Sequence, residues 1–207
     1  MSDAREAVLA RVRQALGPSP TVPEVPREYR VAAAGDPGGA VERFCERVAE
    51  YRATVTRAER GEVEGALARI CRERGTRRAV LAPGAPWRLD GVETVADDAL
   101  SPGDLDLLDA VVTGCALAIA ETGTIVLDGS PRCGRRAITL VPDHHLCVVG
   151  AQQVVAGVPE AIAVLHEAAT ARRPITLVSG PSATSDIELR RVEGVHGPRV
   201  LDVIVEG

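Results

Sequence analysis

The chain reads as an α/β protein, a three-layer, mostly parallel sheet with helices on both faces. Three observations predict this. Short apolar runs of strand length alternate with amphipathic segments of helix length from about residue 40 onward. Several runs read as strands, among them Ala110-Val-Val-Thr113, and Leu146-Cys-Val-Val149 is apolar at every position and reads as a buried one. About 45% of the 207 residues are apolar, yet there is one Trp, one Phe and two Tyr, so Ala, Val and Leu must fill the core.

The elements follow in order. Residues 3–16 carry an apolar stripe of Val8, Leu9, Val12, Ala15 and Leu16, and Gly17-Pro18 ends that helix. Pro18 to Gly39 is a Pro-rich linker, so residues 1–39 form an arm and residues 40–207 the α/β domain. Val41 to Tyr51 is an amphipathic helix and Ala53-Thr-Val-Thr56 a strand. Glu62 to Arg74 is helical and stops at Gly75. Arg78 to Ala82 is a strand ending at Pro83-Gly84, and Val92 to Val95 another. Asp104 to Leu108 has the length of a short helix, and Ala110 to Thr113 is a strand. Ile125 to Leu127 enters a turn at Asp128-Gly129. Pro159 to Thr170 is one helix, with Pro159 in its first turn. Ile175 to Val178 reads as a buried strand, and Val200 to Val205 is the last.

Composition removes several chemistries. Every basic residue other than histidine is Arg, and there is no Lys, so neither a lysine Schiff base nor a Walker lysine is available. The formal charge is −5 with the signs interspersed, which argues against nucleic acid as a partner. No apolar stretch approaches the roughly 20 residues of a membrane span. The N-terminus lacks the apolar core of a signal peptide, so a cytoplasmic location is expected. The five cysteines are scattered and none forms Cys-x-x-Cys, which suits small core residues better than a metal or cluster in this chain. The four His lack a paired ligand spacing, so no metal is expected.

The candidate site residues lie in four segments. Gly180-Pro-Ser-Ala-Thr-Ser-Asp-Ile-Glu188 follows an apolar run, and Ser185 to Glu188 has the spacing of a capping box. A strand, a loop of small residues and a helix N-terminus together make a seat for a carboxylate or phosphate, with Ser182 and Thr184 adding hydroxyls. The same pattern also serves simply to turn the chain. Asp186 would oppose an anion there or complement the helix dipole. Glu121-Thr-Gly-Thr124 sets a carboxylate between an apolar segment and a Gly turn. Glu121 suits a nucleophile or general base if burial raises its pKa, or a carboxylate bonded to turn backbone. His144 and His145 are neighbours on an extended segment and point to opposite faces, one toward a cleft and the other toward surface or core. His196 is aimed by Gly197-Pro198. Arg135 and Arg136 offer two guanidiniums for a bidentate carboxylate clamp, or a solvated turn.

Taken together, Ala120-Glu-Thr-Gly-Thr124, the stretch from Leu140 to Val149, the 180–188 loop and Gly194-Val-His-Gly-Pro198 resemble the LUD-domain family in its small-subunit type, from about residue 40 to the end. The resemblance implies a fold similar to the NagB/RpiA/CoA-transferase group. It also implies a role beside iron–sulfur partner subunits in oxidising L-lactate to pyruvate, with no cofactor in this chain and the clusters in the partners. Family patterns often carry a basic residue where this chain has Ala183. The alternative is a stand-alone enzyme of the CoA-transferase or folate cyclo-ligase type that uses Glu121 on a small carboxylate or phosphate-bearing substrate. The ligand-binding set expected is Thr122, Gly123, Thr124, Arg136, His144, Gly180, Ser182, Thr184, Ser185, Asp186 and His196. Glu121, Thr122, Ser182, Thr184, Asp186 and His196 are expected to share one cleft, with Arg136 or His144 at its rim.

Overall fold

The computed structural model describes residues 2–32, 37–181 and 197–207. The chain divides into two compact units, Met1–Arg30 and Val31–Gly207. The first holds α1 (Ser2–Leu16), whose apolar stripe of Val8, Leu9, Val12 and Leu16 is exposed.

The second unit is built on a six-stranded sheet. Its strands are β1 (Thr54–Ala58), β2 (Arg78–Leu81), β3 (Glu93–Ala96), β4 (Ala110–Thr113), β7 (His144–Gly150) and β10 (Val200–Glu206). The order is β1-β10-β7-β4-β2-β3, and every pair is parallel. All carboxyl ends therefore lie along one edge of the sheet. The two central strands, β4 and β7, are buried at every position, as strands covered on both faces must be.

Side-chain alternation divides the core between the two faces. On one face Leu146, Val148, Ile204 and Val112 pack against Leu67, Ile70 and Cys71 of α3 (Val63–Arg74). On the other, Cys147, Val149, Leu201 and Val203 meet Phe44 and Val48 of α2 (Ala40–Glu50). Val80 and Val111 extend that second face to Leu105 of α4 (Pro102–Asp106). Helix ends follow local chemistry. Gly75 ends α3 at φ 72°, and the Thr76 N–H donates to the Cys71 carbonyl at 2.9 Å. Ser101 and Asp104 form a capping box at the start of α4.

A second, four-stranded sheet goes beyond the sequence reading. Its strands are β5 (Leu117–Ile119), β6 (Thr124–Leu127), β8 (Val154–Val155) and β9 (Thr176–Val178), in the order β8-β5-β6-β9. The β5–β6 and β6–β9 pairs are antiparallel. One side of it contributes Ala118, Ile125 and Leu127 to the α2 core. The other packs Leu117, Ile119 and Val126 on Ala161 and Leu165. Two expectations are corrected here. The Ile175–Val178 run is not a buried strand: β9 is an edge strand, and Leu177 is 61% exposed. Nor is 159–170 one helix. It divides into α5 (Val158–Val164) and α6 (His166–Thr170) at Leu165, whose ψ of −4° tightens the turn as its side chain is drawn into the small-sheet core.

Candidate functional site

β5 leaves the carboxyl end of β4 after Gly114-Cys115-Ala116, and the hairpin it forms with β6 has Glu121-Thr-Gly-Thr124 at its tip. The tip is held on three sides. The Ala120 and Glu121 N–H groups donate to the carbonyls of Val155 and Ala156 at 2.9 and 3.1 Å. Gly123 lies at φ 60° against the last turn of α2, where a Cβ would stand 2.5 Å from the Val48 nitrogen. Thr124 Oγ1 is 2.7 Å from Thr122 Oγ1 and 2.7 Å from Ser179 Oγ. The next residue, Gly180, lies at φ 87° with its α-carbon against the Tyr51 carbonyl. The hairpin tip and the entrance to the 180–188 loop therefore meet, joined by a chain of three hydroxyls. Glu121 is half-buried at this junction.

Ser182, Thr184, Ser185, Asp186 and His196 lie outside the described residues. So does the capping box at Ser185–Glu188. The structure thus brings together Glu121, Thr122, Gly123, Thr124 and Gly180.

His144 is placed elsewhere. It heads β7, whereas the hairpin tip contacts the chain beyond β7's other end. Seven extended residues span about 20 Å. The His144 Nε2 is 2.8 Å from Asp202 Oδ2, and Asp202 also meets Arg74 Nε at 3.2 Å. Burial opposes ionisation of Asp202, but the hydrogen bonds and charges of His144 and Arg74 outweigh it and hold the carboxyl below its ordinary range. This group lies beside a cavity of about 380 Å³ at the amino ends of the strands, lined by Arg74, Thr76, Asp109, Asp143, His144 and Arg199.

The two histidines point to opposite faces: His144, 5% exposed, lines this cavity, and His145, 2% exposed, lies in the core. Both are buried because β7 is a central strand with both faces covered. His145 Nε2 is 2.8 Å from Thr113 Oγ1. Burial, reinforced by the positive fields of His144 and Arg136, pulls its pKa down to about 3.

Arg136 and Arg135 belong to the loop between β6 and β7. Arg136 donates to the carbonyl and hydroxyl of Thr139, both at 3.1 Å. Arg135 makes the bidentate clamp expected of this pair, but its carboxylate comes from the chain itself. Nε and Nη2 lie 2.7–2.9 and 2.6 Å from Asp97, which follows β3.

Three cysteines gather in the core beneath the hairpin. Cys115, Cys133 and Cys147 are at most 1% exposed, packed with Phe44, Val48 and Ile125. The hydrogen bond to Cys147 and burial push the Cys115 thiol well up, and burial raises Cys133 to about 11. Cys115 and Cys133 are held as neutral thiols, and all three cysteines pack within a filled core.

Sequence reasoning missed Asp202, Arg132 and Trp87. The signal for Asp202 was present: a carboxylate inside the apolar run Val200–Val205 must be buried with a partner. For Trp87, the one Trp of the chain, the signal was its position after the turn residues Pro83-Gly84-Ala85-Pro86 that close β2.

The fold and these segments define a class, because residues 104–205 match the LUD domain. A DUF162 family protein from Deinococcus radiodurans, known from its crystal structure, superposes with a TM-score of 0.70 at 40% identity. That match covers 82% of this chain and 98% of the other. Lactate utilization protein C of Deinococcus radiodurans is 42% identical over 210 residues, covering 100% of this chain and 97% of that protein. Lactate utilization protein C of Geobacillus kaustophilus is 34% identical over 114 residues, 52% of this chain and 47% of that one. The chain belongs to the LUD-domain family, in its lactate utilization protein C type.

Proposed function

We propose that this chain is an accessory subunit of a cytoplasmic, iron–sulfur-linked assembly that oxidises L-lactate to pyruvate. The observation that carries the reading is the full-length likeness to lactate utilization protein C. The core thiols support a division of labour. Cys115, Cys133 and Cys147 pack in the core, and in this reading the electron carriers are held by partner subunits. Clusters held by those subunits would supply the relay for the two electrons of lactate oxidation. This chain supplies shape and polar contacts at the carboxyl edge of its sheet. No helix among the described residues is long and apolar enough to cross a membrane, in keeping with work beside other subunits in the cytoplasm.

The test is to purify the chain with the products of its neighbouring genes and measure lactate-dependent dye reduction with and without it. Loss of reduction on omission, restored by adding the chain back, is the expected result. Equal rates with and without the chain would sink the reading. So would turnover of a small carboxylate or its thioester by the isolated chain, abolished by Glu121→Gln.

A further inference from the structure

The loop between β6 and β7 folds back over the carboxyl ends of β2 and β4 and is pinned there. The Gly84 N–H donates to the Pro131 carbonyl at 2.8 Å, and the Gly114 N–H to the Arg132 carbonyl at 2.9 Å. The turn is closed on itself as well, by Cys133 and Gly134 N–H groups donating to the Ser130 carbonyl at 2.9 and 2.8 Å. These bonds place Arg132 at the strand ends with little freedom left in its backbone.

Its side chain is given a made-to-measure bed. A Cβ on Gly114 would stand 2.5 Å from Arg132 Nε and 2.6 Å from its Cγ, so only glycine lets the stem lie flat across the end of β4. The guanidinium carbon stands 5.3 Å from the ring centroid of Trp87. Among the described residues the three arginines of this loop differ sharply. Arg135 is spent on Asp97 and Arg136 bonds Thr139. Arg132 makes no ion pair, and its buried Nε has no hydrogen-bond partner. A buried donor on a charged group, left unpaired, is costly unless something completes it.

We infer that Arg132, laid on Trp87 between the Gly84 and Gly114 strand ends, is the binding site for a small monocarboxylate. A guanidinium fork matches a planar carboxylate bidentately, and one cation balances one anion. The Trp87 ring under the guanidinium adds a cation–π contact that favours this position of the fork. The position agrees with the rule that ligands of open α/β sheets sit outside the carboxyl ends of the strands. That the carboxylate is L-lactate or pyruvate rests on the function proposed above; the site itself rests on its geometry.

Trp87 is the one Trp in the chain, so its fluorescence reports on this place alone. The experiment titrates the isolated full chain with L-lactate, pyruvate, acetate and inorganic phosphate up to tens of millimolar. It follows tryptophan emission and the amide chemical shifts of Gly84 and Gly114. A saturable response to lactate or pyruvate, weakened at least tenfold in Arg132→Gln and in Gly114→Ala, supports the inference. Gly114→Ala keeps the guanidinium but pushes it off its bed, and far-ultraviolet circular dichroism checks that each variant is folded. No saturable response to any of the four anions in the wild-type chain overturns the site, whatever the variants do. So does an undiminished response in a folded Arg132→Gln. Binding of acetate or phosphate alone overturns the assignment to lactate or pyruvate. These readings need no partner subunit, so they fail or succeed independently of the dye-reduction assay.

Discussion

Replacing His145 by Gln should flatten the response of the fold to mild acid. His145 is 2% exposed and its pKa is held at about 3, against 6.5 for the free side chain. The sign follows from proton counting. Between these two values the unfolded chain binds a proton that the folded chain refuses, so stability falls as pH drops. The contribution is intact above pH 6.5 and is lost progressively toward pH 3. At pH 5 the gap is about 1.5 pH units, or about 2 kcal/mol at 1.36 kcal/mol per unit. Asp202 does not confuse this window. Its carboxyl is depressed, so its contribution is present above the unfolded carboxylate value near 3.9 and is lost only below it. Glutamine does not titrate, and its amide can bond the Thr113 hydroxyl that now meets His145 Nε2 at 2.8 Å. The assay is urea unfolding of both proteins at pH 7.5 and pH 5. The wild type should lose about 2 kcal/mol more than His145→Gln between the two pH values. Equal losses within about 0.5 kcal/mol would refute the reasoning, because they would mean that the imidazole reaches water or a proton donor in the folded state.

Two further substitutions probe the carboxyl edge. Gly123→Ala places a Cβ 2.5 Å from the Val48 nitrogen at a φ of 60°. Backbone strain and overpacking together should cost about 2–4 kcal/mol in thermal or chemical unfolding, and a loss under about 0.5 kcal/mol would show that the hairpin tip is free of α2. Arg135→Ala strips Asp97, which is 3% exposed, of its clamp. Arg135 is itself 38% exposed, so the loss should fall at or below the lower end of the buried-pair range, about 2–3 kcal/mol. Adding Asp97→Asn should restore part of it, and no recovery in the double variant would mean that the charge was never the cost.

Much of the fold was legible in local pattern. The runs at 110–112 and 146–149 are apolar at every position because their strands are covered on both faces, and that regularity survives into β4 and β7. Gly75 marks the end of α3 because a left-handed residue is needed there; the short helix expected over 104–108 begins earlier, at Pro102, because Ser101 caps it. The resemblance carried by the 120–124 and 180–188 segments reached the family. Strand runs such as 117–119 and 176–178 are as short and apolar as those of the main sheet, so their periodicity cannot say which sheet they join. That was decided by antiparallel pairing, of 117–119 with 124–126 in the adjacent hairpin and of 176–178 with 125–127 about 50 residues away.

The same division runs through the site. Sequence alone established that an anion site in this chain must do without lysine and draw on arginine, histidine, hydroxyls or backbone. It also grouped Arg135 and Arg136 as a clamp by adjacency. Only the tertiary structure could show that Arg135 closes on Asp97, 38 residues away, that His144 turns to Asp202, 58 residues away, and that Arg132 lies on Trp87 with its Nε unpaired. The physical reason is range. Periodicity, caps and turns are set by interactions within a few residues and are written in the local sequence, whereas the partner of a charge is set by which strand ends the topology brings side by side.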